Sequence, residues 1–98
     1  MRTFSNIAVV GFGHIGSVIG GVLAKNGYSV YGLDQNHELI SDFMKGENPI
    51  SEPNLQNLIS ETIETGHLKL TTDFNVIPKA DAIIITVGTP LNDEYKAD

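Results

Sequence analysis

The chain contains no cysteine, which excludes disulfides, thiolate metal sites and covalent catalysis through sulfur. Basic side chains are scarce, 6 Lys and Arg against 12 Asp and Glu, for a formal charge of −6. Nucleic acid and anionic membranes are bound through basic patches, so neither is expected as a partner. No apolar run approaches the ~20 residues of a spanning helix. The start, Met1-Arg2-Thr3-Phe4-Ser5-Asn6, has no apolar core separate from the run Ile7 to Val10 and no cleavage site, so a cytoplasmic location is expected. His14, His37 and His67 are scattered without ligand-like spacing, and no metal is expected. At 98 residues, 41% of them hydrophobic, the chain has material for one domain with one modest core.

The informative stretch is Val9-Val10-Gly11-Phe12-Gly13-His14-Ile15-Gly16. The nearly all-apolar run Asn6 to Val10 reads as a buried strand feeding a glycine turn and then a helix. Gly11 permits the tight turn, Gly13 leaves the backbone open to a diphosphate, and Gly16 lets the helix lie close to the sheet. A diphosphate at the helix N-terminus meets free N–H groups and the positive end of the dipole. With 10 glycines in the chain such a spacing arises easily by chance, so context decides. Ile15, Val18, Ile19, Val22 and Leu23 form an apolar helix face, Lys25-Asn26-Gly27 ends that helix, and Ser29 to Leu33 is a second strand. Asp34 stands at its end, where a carboxylate accepts both hydroxyls of an adenosine ribose and repels a 2′-phosphate. No arginine follows in Gln35 or Asn36, so NAD is favoured over NADP. The plainer role for Asp34 is to cap the helix beginning near Asn36.

Beyond Asp34, Leu39, Ile40, Phe43 and Met44 mark a second helix over Asn36 to Lys45, with Asn36 as N-cap and Gly46 past its end. The prolines of Glu47-Asn48-Pro49-Ile50-Ser51-Glu52-Pro53 define a loop, and Pro53 suits the first position of a third helix burying Leu55, Leu58, Ile59 and Ile63. His67 to Thr72 alternates as a third strand suited to a sheet edge. Thr72 or Asp73 caps a short helical turn through Phe74 to Ile77, limited by Pro78. Ala82 to Val87 is the most β-branched run and reads as a fully buried central strand. Right-handed crossovers then give an α/β, Rossmann-type parallel sheet of order 3-2-1-4 with helices on both faces, a truncated half of a dinucleotide-binding domain. In that order Gly88-Thr89 faces the same ligand as Gly11 to Gly16, on its nicotinamide side.

These residues suggest a family. Gly11-Phe12-Gly13-His14-Ile15-Gly16, Asp34, Gly46-Glu47-Asn48-Pro49-Ile50-Ser51-Glu52-Pro53-Asn54-Leu55, Thr71-Thr72-Asp73, Ala80-Asp81 and Val87-Gly88-Thr89-Pro90 together resemble the N-terminal part of the UDP-glucose/GDP-mannose dehydrogenases. The loop and the Thr-Pro pair carry the resemblance, since the glycine motif is shared by many dehydrogenases. It implies an NAD-dependent, two-step oxidation of the C6 hydroxyl of a nucleotide sugar to a carboxylate through a cysteine-bound intermediate. It further implies that Gly11, Phe12, Gly13, His14, Ile15 and Gly16 surround the diphosphate, Asp34 the ribose, and Val87 with Thr89 the nicotinamide half, while Glu52 and Pro53 shape the site. The chain departs from the family pattern at His14, often tyrosine, and at Leu39, where some members have a basic residue.

The resemblance also implies that the nucleophilic cysteine, its supporting lysine and asparagine, and the sugar-nucleotide domain lie beyond Asp98. Residues 1–98 are therefore expected to be an NAD-binding fragment with no catalytic residue of its own and inactive alone. Its apolar strand edge is expected to self-associate, consistent with a homo-oligomer. Two alternatives stand beside this reading. One is an NAD(H)-sensing module without catalysis, and the other the cofactor domain of a different hydroxyacid or hydroxyacyl dehydrogenase.

Overall fold

The computed structural model describes residues 5–86. Strand β1 (Asn6–Val10) leads into helix α1 (His14–Lys25), and β2 (Ser29–Leu33) into α2 (His37–Lys45) and α3 (Leu55–Thr65); β3 (Leu68–Thr71), a 3-10 turn (Phe74–Lys79) and β4 (Ala82–Ile85) complete the order. All strand pairings are parallel, in the order β3-β2-β1-β4, with Val9 facing Gly32 on one side and Ile84 on the other. The expected sheet order and β3 edge position are both borne out.

Strand alternation puts Ile7, Val9, Val30 and Leu68 on one face. There they share an apolar cluster with Phe12, Ala24, Ile40, Phe43, Leu55 and Ile59, so α1, α2 and α3 all contribute to the same core. The other face carries Ala8, Leu33, Ile83 and Ile85. Ala8 and Leu33 are fully buried, whereas Ile83 is 49% and Ile85 68% exposed. The fully buried central strand expected over Ala82 to Val87 is thus an edge strand with one open face, and Val87 lies outside the described residues. A β-branched run reports suitability for burial; burial itself requires a neighbour on each side.

Helix α1 also packs differently from its apolar pattern. Its buried residues are Gly16, Ser17, Gly20, Gly21 and Ala24, while Ile15 and Val22, expected on the inner face, are exposed. Val18, Ile19 and Leu23 are partly buried against the core. Small residues win the inner face because the approach is close: a Cβ at Gly20 would lie 2.8 Å from Phe12, and one at Gly21 2.7 Å from Leu58.

In α2, the Asn36 side chain accepts from the Leu39 amide at 3.1 Å and Gly46 ends the helix in the left-handed region, both as expected. Ile40 and Phe43 are buried and Met44 is exposed. Pro53 does not open α3. Asn54, at φ 65, is its N-cap, so Pro53 sits in a turn closed by the Leu55 amide on the Glu52 carbonyl at 3.1 Å. The turn after β3 extends through Pro78 to Lys79, and the cap is Asp73, which accepts from Asn75 at 2.9 Å.

Candidate coenzyme site

Gly11, Phe12, Gly13, His14, Ile15, Gly16 and Asp34 all gather at the carboxyl ends of β1 and β2. Gly11 turns the chain at φ 93. Its amide donates to the Leu33 carbonyl at 2.8 Å, and its carbonyl accepts the Thr86 hydroxyl at 2.7 Å. A Cβ at Gly11 would overlap the Thr86 carbonyl oxygen, and one at Gly16 the Gly11 carbonyl oxygen. Two of the three motif glycines are therefore required by the fold's own packing.

Gly13 is the exception. A Cβ there would meet nothing within 4 Å, so no atom of the described chain requires a glycine at that position. Gly13 is also the N-cap of α1, with no side-chain hydrogen bond capping the helix and no acidic residue in its first turn. Backbone donors and a positive dipole end stand beside space that no atom of the described residues fills, the arrangement a diphosphate requires. The residues present fit a dinucleotide.

Asp34 lies beside this cradle. Its Oδ2 accepts from the Phe12 amide at 2.8 Å and its Oδ1 from the Asn36 amide at 2.9 Å. Asn36, not Asp34, caps α2, and the two backbone contacts of Asp34 leave it able to serve a ribose: each carboxylate oxygen retains a second lone pair able to accept a hydroxyl. The Phe12 side chain is fully buried, edge-on to Phe43 with ring centroids 5.6 Å apart. Phe12 faces the site only through its backbone.

A cleft of about 400 Å³ adjoins Asp34, lined by Val10, Gly11, Asp34, Gln35, Phe74, Ile85 and Thr86. Sequence reasoning missed Phe74, Ile85 and Thr86. Thr86 carried a signal, being the one hydroxyl in an otherwise apolar β-branched run. A hollow of about 430 Å³ between α1 and α3 is lined by Val18, Val22, Glu52, Leu55 and Leu58 and does not include Asp34. Val87 and Thr89, expected at the nicotinamide half, lie outside the described residues. Among the described residues no three His, Cys, Asp or Glu side chains converge on a metal position, and no helix is long and apolar enough to cross a membrane.

Comparison with known proteins gives a consistent result. Residues 5–98 match the UDP-glucose/GDP-mannose dehydrogenase family, NAD binding domain. The chain is 40% identical over 85 residues to a GDP-mannose 6-dehydrogenase of Pseudomonas savastanoi pv. phaseolicola, covering 86% of this chain and 19% of that protein. It is 35% identical over 85 residues to a UDP-glucose 6-dehydrogenase of Rhizobium meliloti, covering 86% and 20% respectively. Among solved structures, a GDP-mannose dehydrogenase from Pseudomonas aeruginosa superposes with a TM-score of 0.81 at 35% identity, over 94% of this chain and 21% of that one. The chain spans about a fifth of the length of these relatives. It belongs to the UDP-glucose/GDP-mannose dehydrogenase family, in that family's NAD binding domain.

Proposed function

We propose that this chain supplies the NAD-binding part of a nucleotide-sugar 6-dehydrogenase, and that residues 1–98 alone bind coenzyme without turning over substrate. The observation that carries the reading is the open space over Gly13 at the uncapped N-terminus of α1, with the Asp34 carboxylate beside it. Relatives named GDP-mannose and UDP-glucose 6-dehydrogenases support the choice of reaction.

NAD, when bound, supplies the hydride acceptor for oxidation of the sugar C6 hydroxyl. The chain's own work is to bind and orient. Backbone amides from Gly13 to Gly16 hold the diphosphate against the dipole of α1. Asp34 accepts the ribose hydroxyls and excludes a 2′-phosphate by charge. The cleft edged by Phe74, Ile85 and Thr86 takes the adenine, and Val87 with Thr89 is assigned to the nicotinamide side. The absence of cysteine supports leaving the covalent step to a part of the enzyme other than residues 1–98.

Calorimetry of the chain with NAD and with NADP tests the binding, and an assay with NAD and either UDP-glucose or GDP-mannose tests the rest. NAD binding without NADH production is the expected pair of results. Undetectable NAD binding by folded chain overturns the coenzyme assignment, and sustained NADH overturns the assignment of catalysis elsewhere.

A further inference from the structure

The turn between α2 and α3 touches the diphosphate cradle through one side-chain contact. His14 Nε2 lies 2.7 Å from Glu52 Oε1. His14 is the first residue of α1, so its backbone belongs to the cradle while its ring is drawn aside onto Glu52. Glu52 is itself well anchored. Its carbonyl accepts from the Leu55 amide, and the Gln56 side chain, from the first turn of α3, braces the same loop by accepting from the Asn48 amide at 2.9 Å and donating to the Phe43 carbonyl at 3.3 Å.

We propose that Glu52 is a positioning residue for coenzyme binding, acting through His14 to fix the first turn of α1 and to keep both side chains clear of the diphosphate. The inference rests on the coenzyme reading above. Its physical basis is twofold. An imidazole free to rotate at the first helical position can enter the space over Gly13, and ordering it during binding costs rotamer entropy. A carboxylate free near the helix N-terminus competes with an anionic ligand for the same donors and dipole. Joined at 2.7 Å, each group occupies the other. The two substitutions should therefore be strongly non-additive.

The test is NAD calorimetry on the wild-type chain and on Glu52→Ala, Glu52→Gln, His14→Ala and the double alanine variant, with ³¹P spectra of bound NAD. Lys25→Ala serves as control, because Lys25 pairs with Glu61 at 3.6 Å on the far part of α1. Glu52→Ala and His14→Ala should each weaken binding about three- to tenfold, the range of one hydrogen bond. The double variant should be no weaker than either, Glu52→Gln should recover most of the affinity, and Lys25→Ala should match wild type. The diphosphate resonances should move in the alanine variants. Unchanged affinity and ³¹P shifts in Glu52→Ala overturn the proposal while leaving the coenzyme reading intact, even if the melting temperature falls. Should Glu52→Ala fail to fold, unchanged affinity in His14→Ala overturns it equally. Wild-type chain that binds no NAD removes both.

Discussion

Asp34 Oδ2 accepts the Phe12 amide at 2.8 Å, tying the end of β2 to the glycine turn that leaves β1. The acid proposed to select the coenzyme thus also shapes the glycine turn proposed to hold it. Asp34→Ala removes both contributions and should weaken NAD binding by tenfold or more, since a hydrogen bond to a charged group is worth about 1.5–3 kcal/mol. It should also narrow the preference for NAD over NADP, because the charge repelling a 2′-phosphate is gone. Calorimetry with both coenzymes measures the two effects. An unchanged ratio of affinities would show that the carboxylate does not face the ribose.

Gly13 and Gly16 separate folding from binding. At Gly16 an added methyl would overlap the Gly11 carbonyl oxygen, a backbone atom that the Thr86 hydroxyl holds in place. Gly16→Ala should cost about 3 kcal/mol of stability or more, visible as a large fall in denaturant midpoint. At Gly13 the methyl meets nothing within 4 Å among the described residues, and φ is −75, outside the left-handed region that favours glycine. Gly13→Ala should keep stability within about 1 kcal/mol of wild type, the range of a changed N-cap, yet lose most of its NAD affinity. Equal NAD binding by Gly13→Ala would mean that no ligand approaches the backbone there.

Asp81 sets an acid limit on the start of the sheet. Its carboxylate accepts from the Asn6 amide at 2.9 Å and the Ser5 amide at 3.0 Å, and these bonds hold its pKa below the usual carboxylate value. A folded-state pKa below the unfolded one means that the contribution is complete above the unfolded value of about 4. It is lost as pH falls through the lower folded value. The melting temperature of wild type should exceed that of Asp81→Asn by a constant margin from pH 7 to about pH 5, and the margin should shrink below about pH 4. A margin independent of pH would assign the effect to shape and not to charge.

The sequence makes the sheet order and the cradle legible because both follow from local signals: apolar runs, glycine turns, and Asn36 and Gly46 at the ends of α2. What it leaves hidden depends on partners distant along the chain. Nothing near His14 in sequence points to Glu52, and nothing in the pattern of α1 shows that Gly20 and Gly21 face inward while Ile15 and Val22 face out. That choice is made by Phe12 and Leu58, which occupy the space a larger side chain would need. The left-handed Asn54 is similarly unreadable, since its conformation follows from how the turn at Glu52 closes on Leu55.

The open face of β4 bears on self-association. Ile83 and Ile85 are 49% and 68% exposed, and among the described residues β4 ends the sheet order, so an apolar surface and a free strand edge occur together there. Such an edge pairs readily with another chain, and burying two isoleucines offers about 1.5–3 kcal/mol each. Sedimentation should therefore show concentration-dependent association of this chain. Ile83→Lys with Ile85→Lys should shift it toward monomer while leaving the opposite-face cluster around Val9 and Phe12, and hence the melting temperature at low concentration, nearly unchanged. The cleft edged by Ile85 adjoins Asp34, so a contact that covers β4 also constrains the cleft proposed to take the adenine. If association occludes that cleft, NAD affinity should rise as the chain is diluted; affinity independent of concentration would place the self-contact on β4 clear of the coenzyme.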